Sequence, residues 1–186
     1  MPDTALPTTT WFPVFTAFLG FVMAWISEWF RDRRTATRER EGRDAARRLQ
    51  LFERRTNFQR ETLLNLQDAV AKLARAAGRM NFLDEMEYRK TGKWGGFLFP
   101  EDLDQDAHQA NVTTMLLTSR VRDDHIRQMA NELRGHASRV GISPSKEDET
   151  KALESMGALL EPLYERIGGV IRKLDDDEDA TAPVSE

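Results

Sequence analysis

His125, Glu132 and His136 recur at i, i+7 and i+11, which would place two imidazoles and a carboxylate near one face of a helix. Such donors can hold a metal, but a metal centre in a helical bundle also draws ligands from facing helices. The chain has neither the Glu-x-x-His nor the His-x-x-x-His spacing that usually supplies them. His136 also falls on an apolar stripe, where it reads as a hydrogen-bonded core residue. With no Cys anywhere, disulfides, thiolate catalysis and Cys-ligated zinc are excluded. The stretch TGKWGG resembles a phosphate loop only in part: the leading Gly of G-x-x-x-x-G-K would fall on Glu87, and Trp94 replaces the Ser or Thr that holds magnesium. Nucleophile elbows, glycine fingerprints and a Ser-His-Asp arrangement are missing from the sequence. We therefore read a non-enzymatic chain with no catalytic, cofactor or metal site.

The connection YRKTGKWGGFLFPEDLDQD mixes cations with aromatic rings: Tyr88, Arg89, Lys90, Lys93, Trp94, Phe97 and Phe99. That mixture fits a contact for a protein partner. It also fits a single-stranded nucleic-acid surface, or a loop whose Phe97, Leu98 and Phe99 close the end of a bundle. Residues 93–99, flanked by Arg89 and Lys90, are the expected partner site, and the acidic run DDDED is expected to lie against Arg89, Lys90 and Lys93.

Three apolar frames at 3-4 spacing must position this loop. The first is Leu49, Phe52, Thr56, Gln59, Leu63, Leu66, Val70, Leu73, Ala77 and Met80, with Thr56 and Gln59 as polar members that loosen packing or specify register. The second is Val112, Met115, Ser119, Arg122, Ile126, Met129, Leu133, His136 and Val140. The third is Leu153, Met156, Leu160, Leu163, Ile167, Val170 and Leu174, with a kink expected near Leu160 because of Pro162. Gly141 should stop the second helix, and Ser145 with Asp148 should cap the third. No strand pattern is present. The expected body, residues 49–174, is an all-α antiparallel bundle of three long helices at 45–88, 105–140 and 146–174, with a loop at 89–105 and a disordered acidic tail at 175–186.

Mean hydropathy is −0.58, yet Trp11 to Ile26 is a run of sixteen residues without a charge. About twenty helical residues span the roughly 30 Å hydrocarbon core of a bilayer. A cleavable signal would need a basic start and a small-residue cleavage site; residues 1–10 contain no Lys or Arg, and Glu28, Trp29, Phe30 and Arg31 follow the run. Residues 11–30 therefore read as a transmembrane helix after a short extracytoplasmic tail at 1–10. Trp11, Trp25, Trp29, Arg31, Arg33 and Arg34 would lie at the interfaces. Residues 31–48 carry eight Arg against four acidic residues. This basic juxtamembrane helix puts the N-terminus outside and the body in the cytoplasm by the positive-inside rule, and it suits anionic lipid heads. Interleaved acids make it a poor nucleic-acid surface. Ala17, Gly20, Ala24 and Ser27 form a stripe of small residues on which two spans could meet, giving a homo-oligomer.

The segments GFVMAWISEWFRDRRTATRERE and LLTSRVRDDHIRQMANELR together resemble a loose group of single-pass bacterial membrane proteins with an Arg-rich exit and a cytoplasmic helical domain. The resemblance implies the bacterial inner membrane and carries no catalytic residue. The expected function is a membrane-anchored helical interaction or scaffold protein, self-associating, that presents its bundle to a cytoplasmic protein. The alternative is a phage-related or defence effector of the membrane, of holin-like or superinfection-exclusion type.

Overall fold

A computed structural model describes the backbone of residues 11–95 and 98–181, and the side chains of residues 42–44, 46–95 and 98–180. The chain forms two units, residues 1–51 and 52–186. Every regular element is helical: α1 (Trp11–Thr91), α2 (Glu101–Arg120), α3 (Asp124–Ala137) and α4 (Lys146–Thr181).

Within the second unit, α1 packs with α2, α3 and α4 as an up-down-up-down four-helix bundle. Cross-helix contacts fix the directions. Glu85 of α1 meets Lys146 at the start of α4 at 2.5 Å, and Arg60 meets Asp175 near its end at 2.5 Å. Arg79 lies 3.9 Å from Asp102 at the start of α2, while Gln59 bonds to Arg120 at its end. Each helix thus buries its stripe against neighbours running the opposite way, the packing that short connections favour. Leu63, Leu66, Val70, Leu103, Ile126, Leu133, Leu163 and Ile167 form the centre of the core. Each such side chain contributes roughly 1.5–3 kcal/mol by leaving water.

Two of the expected frames hold. On α1, Thr56, Gln59, Leu63, Leu66, Val70, Leu73, Ala77 and Met80 are all buried. On α4, Met156, Leu163 and Ile167 are buried, and Leu153, Leu160, Val170 and Leu174 pack beside them. The Ser145 hydroxyl accepts the Asp148 N–H at 3.1 Å and donates to the Asp148 carboxylate at 2.7 Å, which secures the start of α4. Helix α4 continues through Pro162, which is exposed along with Ala158, the residue whose carbonyl loses its partner there.

The expected second helix is two helices, so the bundle has four members rather than three. Val121 is extended at φ −72°, ψ 135° and 2% exposed. Asp123 then starts α3, its carboxylate accepting the Ile126 N–H at 3.0 Å, as an N-cap does. The inward face of α2 also differs from the expected one. Leu103, Ala110, Thr114 and Thr118 are buried, whereas Met115 and Ser119 are exposed. Thr114 and Thr118 are accommodated because each hydroxyl donates to the carbonyl four residues earlier, at 2.8 and 2.6 Å. Residues 175–181, expected as disordered tail, belong to α4.

Among the described residues, no helix is long and apolar enough to cross a membrane. The side chains of residues 11–41 lie outside that description, so the expected span and its interfacial and small-residue positions lie outside it too: Trp11, Ala17, Gly20, Ala24, Trp25, Ser27, Trp29, Arg31, Arg33 and Arg34.

Candidate functional site

The end of the bundle where α1 passes to α2, and α3 to α4, gathers most of the expected partner residues. Helix α1 ends at Thr91, and Gly92 turns the chain at φ +71° with its N–H on the Tyr88 carbonyl at 2.8 Å. Trp94 folds back edge-on to Tyr88, with ring centroids 5.6 Å apart. The Lys146 ammonium lies 5.5 Å from the Tyr88 centroid and also pairs with Glu85, which receives Arg89 at 3.1 Å. Those hydrogen bonds to Lys146 and Arg89 hold the Glu85 carboxyl below its ordinary range.

The second turn docks on the first. Phe99 packs on the core. Its ring lies so near Gly141, at φ +80°, that a Cβ there would sit 2.9 Å from Phe99 Cε2. Only glycine satisfies both the backbone and the ring at that point. A Cβ on Gly95 would lie 3.8 Å from the Ser143 carbonyl, so the two turns are neighbours.

The expected site therefore divides. Phe99 and Trp94 close the bundle end. Arg89 and Lys90 are engaged by acids of their own helix, Lys90 with Glu87 at 3.6 Å. Lys93 is exposed, and Phe97 lies outside the described residues. The acidic run does not reach these cations: Asp175 and Glu178 bind Arg60 at the opposite end, at 2.5 and 2.7 Å. In an up-down-up-down bundle α4 finishes at the end away from the loop.

Beside its exposed cations Arg89, Lys90 and Lys93, the loop end also offers apolar side chains to solvent. Leu98 is 92% exposed, Ile142 78% and Phe82 61%, with Met86 and Tyr88 also exposed. Leu98, read from the sequence either as part of the partner site or as a residue closing the bundle end, stands in solvent, whereas Ile142 escaped the sequence reading because a single apolar residue in a turn carries no periodicity.

The bundle also buries a pair of carboxyls. Glu149 of α4 is 0% exposed and Asp84 of α1 is 4% exposed. Asn81 donates to Glu149 Oε1 at 3.2 Å. Burial raises both carboxyls above their ordinary values.

His125 and Glu132 are exposed, and Glu132 accepts the Gln128 amide at 2.9 Å. Among the described residues, no cluster of three or more His, Asp or Glu could hold a metal. No protein-family model, curated protein or solved structure matches the chain, and its function is argued from its own residues.

Proposed function

We propose that the chain is a single-pass, membrane-anchored interaction protein of the bacterial inner membrane. Residues 11–30 cross the bilayer with the N-terminus outside, residues 31–48 lie on anionic lipid at the cytoplasmic face, and the bundle offers its loop end to a cytoplasmic protein. The observation that carries this reading is the sixteen-residue uncharged run Trp11–Ile26, followed by eight arginines within residues 31–48. Helix is the form a single span must take, because every backbone polar group has to be satisfied inside the segment. Arginines on one flank alone orient it.

The loop end is the chosen contact because Leu98 and Ile142 stand exposed on the two turns there, next in sequence to Phe99, which packs on the core, and to Gly141, which the Phe99 ring approaches. A preorganised apolar surface loses little entropy on binding. Self-association through Ala17, Gly20, Ala24 and Ser27 would join two such chains on one membrane.

Topology is directly testable because the chain has no native Cys. Thr4→Cys should react with a membrane-impermeant maleimide on intact spheroplasts, and Ser185→Cys only after permeabilisation. The reverse labelling, or equal labelling at both positions, would refute the orientation.

A further inference from the structure

Glu149 is fully buried, yet its Oε2 has no hydrogen-bond donor among the described residues. Its Oε1 accepts from Asn81. A second buried carboxyl, Asp84, stands one helical turn beyond Asn81 on α1 and acts on Glu149 across the α1–α4 contact. Two ionised carboxylates can only accept, so neither could satisfy the other and Oε2 would stay without a donor unless one of the pair keeps a proton. Two adjacent buried negative charges without a cation would also be costly. We propose that Asp84 and Glu149 hold one proton between them at neutral pH, and that this proton latches the first turns of α4 onto the end of α1.

Among the described residues, no cation is among the groups acting on Glu149. The groups acting on Glu149 are Asn81 and Asp84 from α1 and the Gly141 N–H from the α3–α4 turn. Glu85, the next acid on α1, is occupied by Lys146 and Arg89. Lys146, at the start of α4, is spent on Glu85. From α2, Asp102 faces Arg79. His136 of α3 lines a separate hollow with Asp148 and Lys151.

Burial comes first among the causes raising both groups, and Asp84 adds to it for Glu149, while Asn81 and the Gly141 N–H oppose it without cancelling it. The folded state therefore holds more protons than the unfolded chain. Stability is fully present below the ordinary values of 3.8 and 4.5 and is lost as pH rises through the raised folded values. Loss of the shared proton leaves two buried negative charges, which only separation of α4 from α1 at this end can relieve. The latch would thus loosen in alkaline surroundings.

The test uses the full-length chain in detergent micelles and pH-difference infrared spectroscopy. The expected result is a protonated-carboxyl C=O band at neutral pH that Glu149→Gln abolishes. Melting temperature should fall as pH rises above the ordinary value of 4.5 in the wild type and fall less in Glu149→Gln, where Asp84 alone of the pair is left to titrate. Should Glu149→Gln fail to fold, Asp84→Asn serves as the second variant, and the wild-type spectrum is decisive without either. Absence of the band at neutral pH, or parallel melting profiles for wild type and variant, would overturn the proposal.

Discussion

Gln59 on α1 completes the backbone at Arg122, where α2 gives way to α3. Its side-chain carbonyl accepts the Arg122 N–H at 3.2 Å, and its amide donates to the Arg120 carbonyl at 3.1 Å. One side-chain amide thus stands in for the helical partners that the extended Val121 removes, which makes Gln59 the residue that fixes where the second and third helices part.

Replacing Gln59 with Met keeps length and apolar volume but leaves a donor and an acceptor unpaired in a largely buried place. The expected loss is about 1–3 kcal/mol, read from urea unfolding of the full chain in detergent. A change below about 0.5 kcal/mol would mean that water satisfies both groups as well as Gln59 does.

Two glycines should respond with opposite signs. Gly141→Ala must place a methyl 2.9 Å from the Phe99 ring at φ +80°, and it is expected to destabilise by more than about 1 kcal/mol. Gly78→Ala meets nothing within 4 Å inside α1 and should stabilise by about 0.5–1 kcal/mol. Thermal unfolding of both variants beside the wild type checks the pair, and equal responses would contradict the packing described at Gly141.

The acid limb of the pH profile belongs to other groups. Asp123 is partly buried, which alone would raise it, but Arg166 and the Ile126 N–H outweigh burial and hold it below its ordinary value. Glu85 is likewise lowered by Lys146 and Arg89. Groups of this sign give stability that is complete above the ordinary values of 3.8 and 4.5 and is lost as pH falls through the depressed ones. Arg166→Gln should move the acid unfolding midpoint upward and leave the alkaline limb unchanged. An unchanged acid midpoint would count against the Asp123–Arg166 contact.

Self-association has its own test. Gly20→Leu should convert cross-linkable dimers in membranes to monomers, because a bulky side chain on the small-residue stripe keeps two spans apart. Undiminished cross-linking would place any oligomer contact elsewhere.

The bundle was legible where apolar spacing and capping chemistry agree. The α4 frame from Leu153 to Leu174 and the Ser145–Asp148 start follow directly from residue types. The α2–α3 break did not, because Val121 is apolar and in step with a helical stripe, so its extended backbone leaves no mark on the periodicity. Its one signal is Asp123 three residues ahead of Ile126, an N-cap pattern that the longer frame obscured. Thr114 and Thr118 misled for a related reason: a Thr whose hydroxyl bonds back along its own helix packs as an apolar residue. Asp84 and Glu149 were visible in outline. Four residues beyond Met80 and four before Leu153, they are the next steps of the first and third frames, which stop short of them because charged side chains are ordinarily exposed. Leu98 lay inside the expected partner segment, but Ile142 offered no pattern at all, so its exposure needed the fold.

Membrane anchorage is tested most directly by fractionation of the full chain beside a variant lacking residues 11–30. The full chain should stay in the membrane pellet through alkaline carbonate and high salt and leave it only with detergent. The deletion variant should appear in the supernatant with its helical circular dichroism retained. Recovery of the intact chain in the supernatant without detergent would contradict the account.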